Sequence, residues 1–296
     1  MSERKIEVLQ GIAPLLDRYD GFIVDLWGTV HNGVRPFPGV LDCLRTLKER
    51  GKRIVLLSNA PRPAAIIRDQ LATMGVDGSL YDGIITSGEV TWRVLAGCTD
   101  PSVAQAWPWV KTLGKRVFHI GGQHDLSMFE GLGVELVSNP ADATFVLNTG
   151  PDERRGQTEL EPYLEILSAC AVRDLPMICA NPDMEVMRDG VRLICAGLLA
   201  RAYEQKGGVV QWIGKPFPPV YEPVFELLGD IPKNRILAAG DALATDIRGA
   251  ANVGVDALWV LAGIHGEGLA DDPAQAQEEA DGAALAPVAS VPAFVL

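Results

Sequence analysis

The chain has 296 residues, 48% of them apolar, and a formal net charge of −12. That length allows a full core in two modest domains, and the acidic balance argues against nucleic acid as a partner, because such binding rests on many Lys and Arg contacts to phosphates. Apolar runs are broken by charges well short of a membrane span, and Met1-Ser2-Glu3-Arg4-Lys5 has no secretory pattern, so the expected location is the cytoplasm, with no membrane partner.

Short β-branched runs alternate with helical periods along the chain, the pattern of a mainly parallel sheet covered by helices on both faces. Strands are expected at Phe22 to Trp27, Arg53 to Ser58 and Gly83 to Thr86, with helices near Val40 to Arg50 and Ala64 to Met74, stopped by Gly51 and Gly75. From about Gly88 to Met177 a second α/β pattern intervenes, with strands at Arg116 to Ile120, Leu136 to Ser138 and Thr144 to Asn148 and a helix near Leu160 to Val172. The Pro-bearing stretch Cys98 to Trp109 reads as a loop of that insert.

The first pattern then returns, with strands at Val209 to Ile213, Arg235 to Ala239 and Ala257 to Leu261 and helices near Tyr221 to Leu228 and Thr245 to Ala251. Leu269 to Leu285 reads as a polar surface tail. The expected organisation is therefore an α/β core of residues 1–87 and 178–296, a doubly wound parallel sheet of Rossmann-like type, interrupted by an inserted α/β cap of residues 88–177. Five scattered cysteines (Cys43, Cys98, Cys170, Cys179, Cys195) contain no CxxC pair, which speaks against a disulfide framework or a zinc cluster.

Four segments carry candidate chemistry. Asp25 ends a buried strand, at the edge where open α/β sheets bind ligands, and is followed by Gly28, Thr29 and the turn pair Asn32-Gly33. Ser58-Asn59 ends the next strand, where a hydroxyl and backbone amides can receive phosphate oxygens or simply cap the following helix. Lys215, in Gly214-Lys215-Pro216, is a cation just past a strand. Asp241 and Asp246 bracket a strand-to-helix turn, and Asp241 beside Asp25 would supply the hard oxygen ligands that Mg²⁺ selects.

In this order, Asp25-Leu26-Trp27-Gly28-Thr29, Ser58-Asn59, Lys215-Pro216 and Gly240-Asp241 through Asp246 resemble the four motifs of the haloacid dehalogenase (HAD) superfamily. Asn181-Pro182-Asp183, Cys195-Ala196-Gly197 and the insert between the second and third motifs resemble its subclass IIA, the NagD-like phosphatases with a large α/β cap. The resemblance implies Asp25 as a nucleophile forming an aspartyl-phosphate, and Ser58, Asn59, Asn181 and Lys215 as phosphate-binding groups. It implies Mg²⁺ as cofactor, held by Asp25, the main-chain carbonyl of Trp27 and Asp241, with Asp246 acting on metal or lysine. The expected partners are a small phosphorylated metabolite, selected by residues of the cap, and a second copy of the chain docked through the cap.

Trp27 departs from the family pattern, which has a second aspartate there as general acid and base. An indole donates one N–H and accepts no proton, so cation and phosphate binding are expected to persist while turnover on ordinary phosphate monoesters slows; acyl phosphates and other good leaving groups suffer least. His31, four residues on, is a candidate substitute donor, whereas His119, His124 and His265 show no triad or metal pattern. Two other readings follow: a catalytically weakened phosphometabolite-binding or regulatory protein, and a haloacid dehalogenase, which the retained Asp241 and Asp246 argue against.

Overall fold

The computed structural model describes residues 5–188, 191–261 and 268–296, so His265 lies outside the described residues. The chain divides into two compact units, one of residues 1–58, 65–85 and 215–296 and the other of residues 59–64 and 86–214.

The first unit holds a seven-stranded sheet in the order Glu7–Val8, Ala289–Val291, Asp256–Val260, Ile236–Gly240, Gly21–Asp25, Arg53–Ser58, Gly83–Thr86. The pairings from Glu7–Val8 through to Arg53–Ser58 are parallel. Gly21–Asp25 lies in the middle of this sheet and is buried along its whole length, as expected of a strand covered on both faces. The helix Val40–Glu49 packs through Val40, Cys43, Leu44 and Leu47, whose spacing places them on one stripe. Each such side chain contributes about 1.5–3 kcal/mol when fully buried.

The second unit is built on a five-stranded parallel sheet in the order Val210–Trp212, Met177–Cys179, Phe145–Asn148, Arg116–Ile120, Glu135–Val137. An antiparallel hairpin, Glu185–Arg188 with Val191–Ile194, accompanies it. The helices Leu164–Ala171 and Ala196–Gln205 pack in its core with Tyr163, Leu167, Leu199 and Tyr203 fully buried.

Three expectations change. The insert extends to Gly214 rather than Met177, because Met177–Cys179 and Val210–Trp212 pair with the strands of the second sheet. Residues 269–285 are not a polar tail: Leu269, Ala276, Ala280 and Leu285 are buried, Asp272 caps the helix Pro273–Gly282 by accepting from Gln275 N–H, and the chain then returns to the main sheet at Ala289–Val291. Residues 98–109 include short helical turns at Val103–Gln105 and Pro108–Thr112. Among the described residues, no helix is long and apolar enough to cross a membrane.

Candidate active site

The central strands of the first unit end together. Asp25 closes Gly21–Asp25, Gly240 closes the neighbouring Ile236–Gly240, and Ser58 closes Arg53–Ser58, one residue past the Asp25–Leu57 pair of the register. A parallel sheet brings all these termini to one edge, so a carboxylate, a hydroxyl and the Asp241 loop meet there without further design.

Lys215 joins them. Its Nζ donates to Asp25 Oδ1 at 2.5 Å and to Asp246 Oδ1 at 2.7 Å, and all three residues are buried. The other oxygen of Asp246 accepts from Ala242 N–H at 3.2 Å, so this residue both closes its own helical turn and fixes the lysine. Its turn is the wide first turn Leu243–Ile247, which leads into the helix Arg248–Val253.

Asp25, Asp241 and Asp246 each place a carboxylate oxygen within 4.8 Å of the others. Two observations bear on whether a divalent cation fits. Three buried carboxylates face one lysine, a formal excess of two negative charges in a medium where uncompensated charge is costly. The space for the Asp241 carboxylate exists only because residue 28 is glycine: at φ +88° a Cβ there would lie 2.2 Å from Asp241 Oδ2. An all-oxygen, acidic and partly neutralised donor set is the kind that Mg²⁺ takes, and the residues fit it.

Trp259 belongs to this site, although sequence reasoning missed it. On the strand beside Ile236–Gly240, its buried indole donates Nε1–H to the main-chain carbonyl of Asp241 at 2.9 Å and so anchors the loop that carries the carboxylate. The available signal was a tryptophan within an apolar strand, since a buried indole N–H requires an acceptor.

The loop after Asp25 is tight. Val30 N–H and His31 N–H both donate to Leu26 O, Gly28 N–H donates to His31 O, and Asn32 Oδ1 accepts from Val34 and Arg35 N–H, making the expected turn at Asn32-Gly33. The Trp27 ring meets His31 edge-on at 5.6 Å and lies against Gly33. Gly33 N–H donates to His31 Nδ1 at 2.9 Å, which leaves the neutral ring with its proton on Nε2, and burial pushes the imidazole down to about 4. His31 is thus held as neutral imidazole near pH 7, which is a poor proton donor.

Asn59 and Asn181 belong to the second unit. Asn59 Nδ2 donates to Asp183 Oδ1 at 2.8 Å, while Asn181 Oδ1 accepts from Asp183 N–H at 2.9 Å. Both amide side chains therefore hold the Asn181-Pro182-Asp183 turn. That turn packs on Gly197, where a Cβ would come 2.2 Å from Pro182 O, which accounts for the small residue in Cys195-Ala196-Gly197.

Comparison with known proteins identifies the family. Residues 22–135 match the family described as haloacid dehalogenase-like hydrolase, and residues 212–284 match one described as HAD-hydrolase-like. A haloacid dehalogenase-like hydrolase of known structure from Brucella suis is 35% identical, with a TM-score of 0.81 over 97% of this chain and 100% of the other. Human chronophin is 28% identical over 88% of each chain. A 4-nitrophenylphosphatase structure from Thermotoga maritima is 25% identical, with a TM-score of 0.67 over 94% of this chain and 96% of the other. The chain belongs to the haloacid dehalogenase-like hydrolase family.

Proposed function

We propose that this protein is a Mg²⁺-dependent phosphohydrolase that acts on a small phosphorylated metabolite through an aspartyl-phosphate at Asp25. The single observation that carries this reading is the buried contact of Lys215 with both Asp25 and Asp246, beside Asp241. A carboxylate held by a lysine at a sheet edge is a nucleophile already oriented, with a cation beside it to offset the charge of the incoming phosphoryl oxygens. The similarity to a 4-nitrophenylphosphatase supports the same chemistry.

In this reading Asp25 attacks phosphorus, Ser58 and the Asn59 main-chain N–H bind phosphoryl oxygens, and Lys215 neutralises the charge that develops on them. Asp246 keeps Lys215 in place, and Trp259 keeps Asp241 in place. Mg²⁺, when held by Asp25, Asp241, Asp246 and the Trp27 carbonyl, supplies the charge neutralisation that lets an anionic nucleophile approach an anionic phosphate. The five cysteines stand as thiols, four of them buried, which supports a cytoplasmic location.

Trp27 favours a second reading, a phosphometabolite-binding protein with weak turnover. Phosphate release across a metabolite panel, with Mg²⁺ or with EDTA and with Asp25→Asn alongside, tests the first against it. Metal-dependent release that disappears in Asp25→Asn supports the phosphohydrolase. Silence across the panel with Mg²⁺ binding intact supports the binding protein.

A further inference from the structure

We propose that the substrates of this site are phosphates whose leaving group departs as a stable anion, acyl phosphates foremost, and that alkyl phosphate esters are poor substrates. The inference rests on the aspartyl-phosphate reading above and concerns which bond to phosphorus can break.

Displacement of an alkoxide needs a proton donor, so the described groups near Asp25 can be taken in turn. Two N–H groups of the Lys215 ammonium are committed to carboxylates, one to Asp25 Oδ1, the nucleophile itself, and one to Asp246 Oδ1. Asp246 accepts through both oxygens, from Lys215 and from Ala242 N–H. Asp241, if it ligates a cation, does so as the carboxylate. The indole of Trp27 and the hydroxyl of Ser58 do not release protons in water's working range.

His31 spends Nδ1 as acceptor of the Gly33 N–H, in a loop further locked by the Trp27 ring. That ring has nowhere to go on its Gly33 side, where a Cβ would already lie 2.3 Å from Trp27 Cη2. Tyr221, within electrostatic reach of Asp25, packs its hydroxyl on Gly249, and among the described residues of the first unit no group near Asp25 is set to protonate a departing alkoxide.

An acyl phosphate avoids the difficulty. The Asp25 oxygen–phosphorus bond forms as the phosphorus–oxygen bond to the acyl group breaks, and the bonding pair leaves on a carboxylate, whose conjugate acid has a pKa of about 4 and which needs no proton. In the second step a water oxygen bonds to phosphorus, the Asp25–phosphorus bond breaks with its electron pair returning to Asp25, and the water proton passes to solvent. The sum is acyl phosphate plus water giving carboxylate, inorganic phosphate and a proton. Lacking a base beside the water, the second step is the slow one, so phosphorylated Asp25 accumulates.

The test is a leaving-group series on the full-length protein: acetyl phosphate, 4-nitrophenyl phosphate, phenyl phosphate and benzyl phosphate, with Mg²⁺ or EDTA and with Asp25→Asn rates subtracted. The last three are similar in bulk, so their differences report the leaving group. The expected result is a fall in kcat/KM of at least about 10²-fold from 4-nitrophenyl to benzyl phosphate, with Trp27→Asp raising the benzyl rate and narrowing the gap to within about tenfold. Benzyl phosphate turned over within about fivefold of 4-nitrophenyl phosphate by the wild type would overturn the inference and leave the phosphohydrolase standing. No metal-dependent turnover of any member, acetyl phosphate included, would overturn the phosphohydrolase itself. The wild-type series decides even where Trp27→Asp does not fold.

Discussion

Gly28 makes room for the Asp241 carboxylate, since a Cβ at residue 28 would sit 2.2 Å from Asp241 Oδ2 and 2.5 Å from its Cγ. Gly28 also adopts φ +88°, a conformation that L side chains rarely take. Gly28→Ala is therefore expected to push Asp241 out of position and to strain the loop, costing about 1–3 kcal/mol of stability. Isothermal titration should show Mg²⁺ affinity reduced by at least about tenfold in a protein that still folds, because the metal contact is disturbed more than the core.

Mg²⁺ should stabilise the fold. A cation entering the site relieves the excess of buried negative charge, so binding to the folded form raises the melting temperature as metal is added. At 100 times the dissociation constant the gain is about 2.7 kcal/mol. Differential scanning fluorimetry should show this shift in the wild type, with Asp241→Asn losing most of it; an equal shift in both proteins would place the cation elsewhere.

Trp259→Phe keeps the ring in the core but deletes the N–H that holds the Asp241 carbonyl. The lost bond should cost about 1–3 kcal/mol, because the carbonyl is left buried without its donor. Weaker Mg²⁺ binding should accompany that loss. A stability loss with unchanged metal affinity would make Trp259 a packing residue only.

His119 gives the second unit a pH dependence. Its Nε2 meets Thr149 Oγ1 at 2.8 Å, and burial pushes the imidazole down to about 4, against a smaller opposing effect of Asp152. A depressed histidine binds its proton more readily in the unfolded chain, so the stability from keeping it neutral is present above about pH 6.5 and is lost as pH falls from there to about 4, an effect on the order of 3 kcal/mol. Asp125, raised by burial, acts in the opposite sense, losing stability as pH rises above the ordinary carboxylate range. His119→Gln, which can still reach Thr149, should flatten the urea-midpoint profile between pH 6.5 and 4.5, and an unchanged slope would assign the effect to other groups.

Much of the site was legible because its residues sit where strands end. Asp25, Ser58 and Asp241 each follow a buried apolar run, and a parallel sheet aligns such ends whatever the intervening sequence does. The contact of Lys215 with Asp25 spans 190 residues, so no local pattern announces it, and the resemblance to four family motifs supplied it instead. The boundary at Gly214 was illegible for a related reason. Val210–Trp212 reads as a strand from its composition, but which sheet accepts it depends on pairing with Met177–Cys179, a tertiary choice that periodicity does not encode. The helix Pro273–Gly282 was obscured by its Ala, Gln and Glu content, because its buried face consists mainly of small residues such as Ala276 and Ala280. A T-x-x-E capping pattern, Thr86 to Glu89, marks the start of the helix Ser87–Ala96, where the Thr86 side chain accepts from Glu89 N–H.

Trapping the covalent intermediate tests the central claim most directly. Protein mixed with phosphorus-labelled acetyl phosphate and Mg²⁺, quenched in acid and mapped by peptide, should carry the label on Asp25, at up to about one phosphoryl group per chain, with none when EDTA is present or when Asp25 is replaced by Asn. Label that persists in Asp25→Asn, or phosphate released with Mg²⁺ while Asp25 never becomes labelled at any quench time, would contradict an aspartyl-phosphate mechanism at this site.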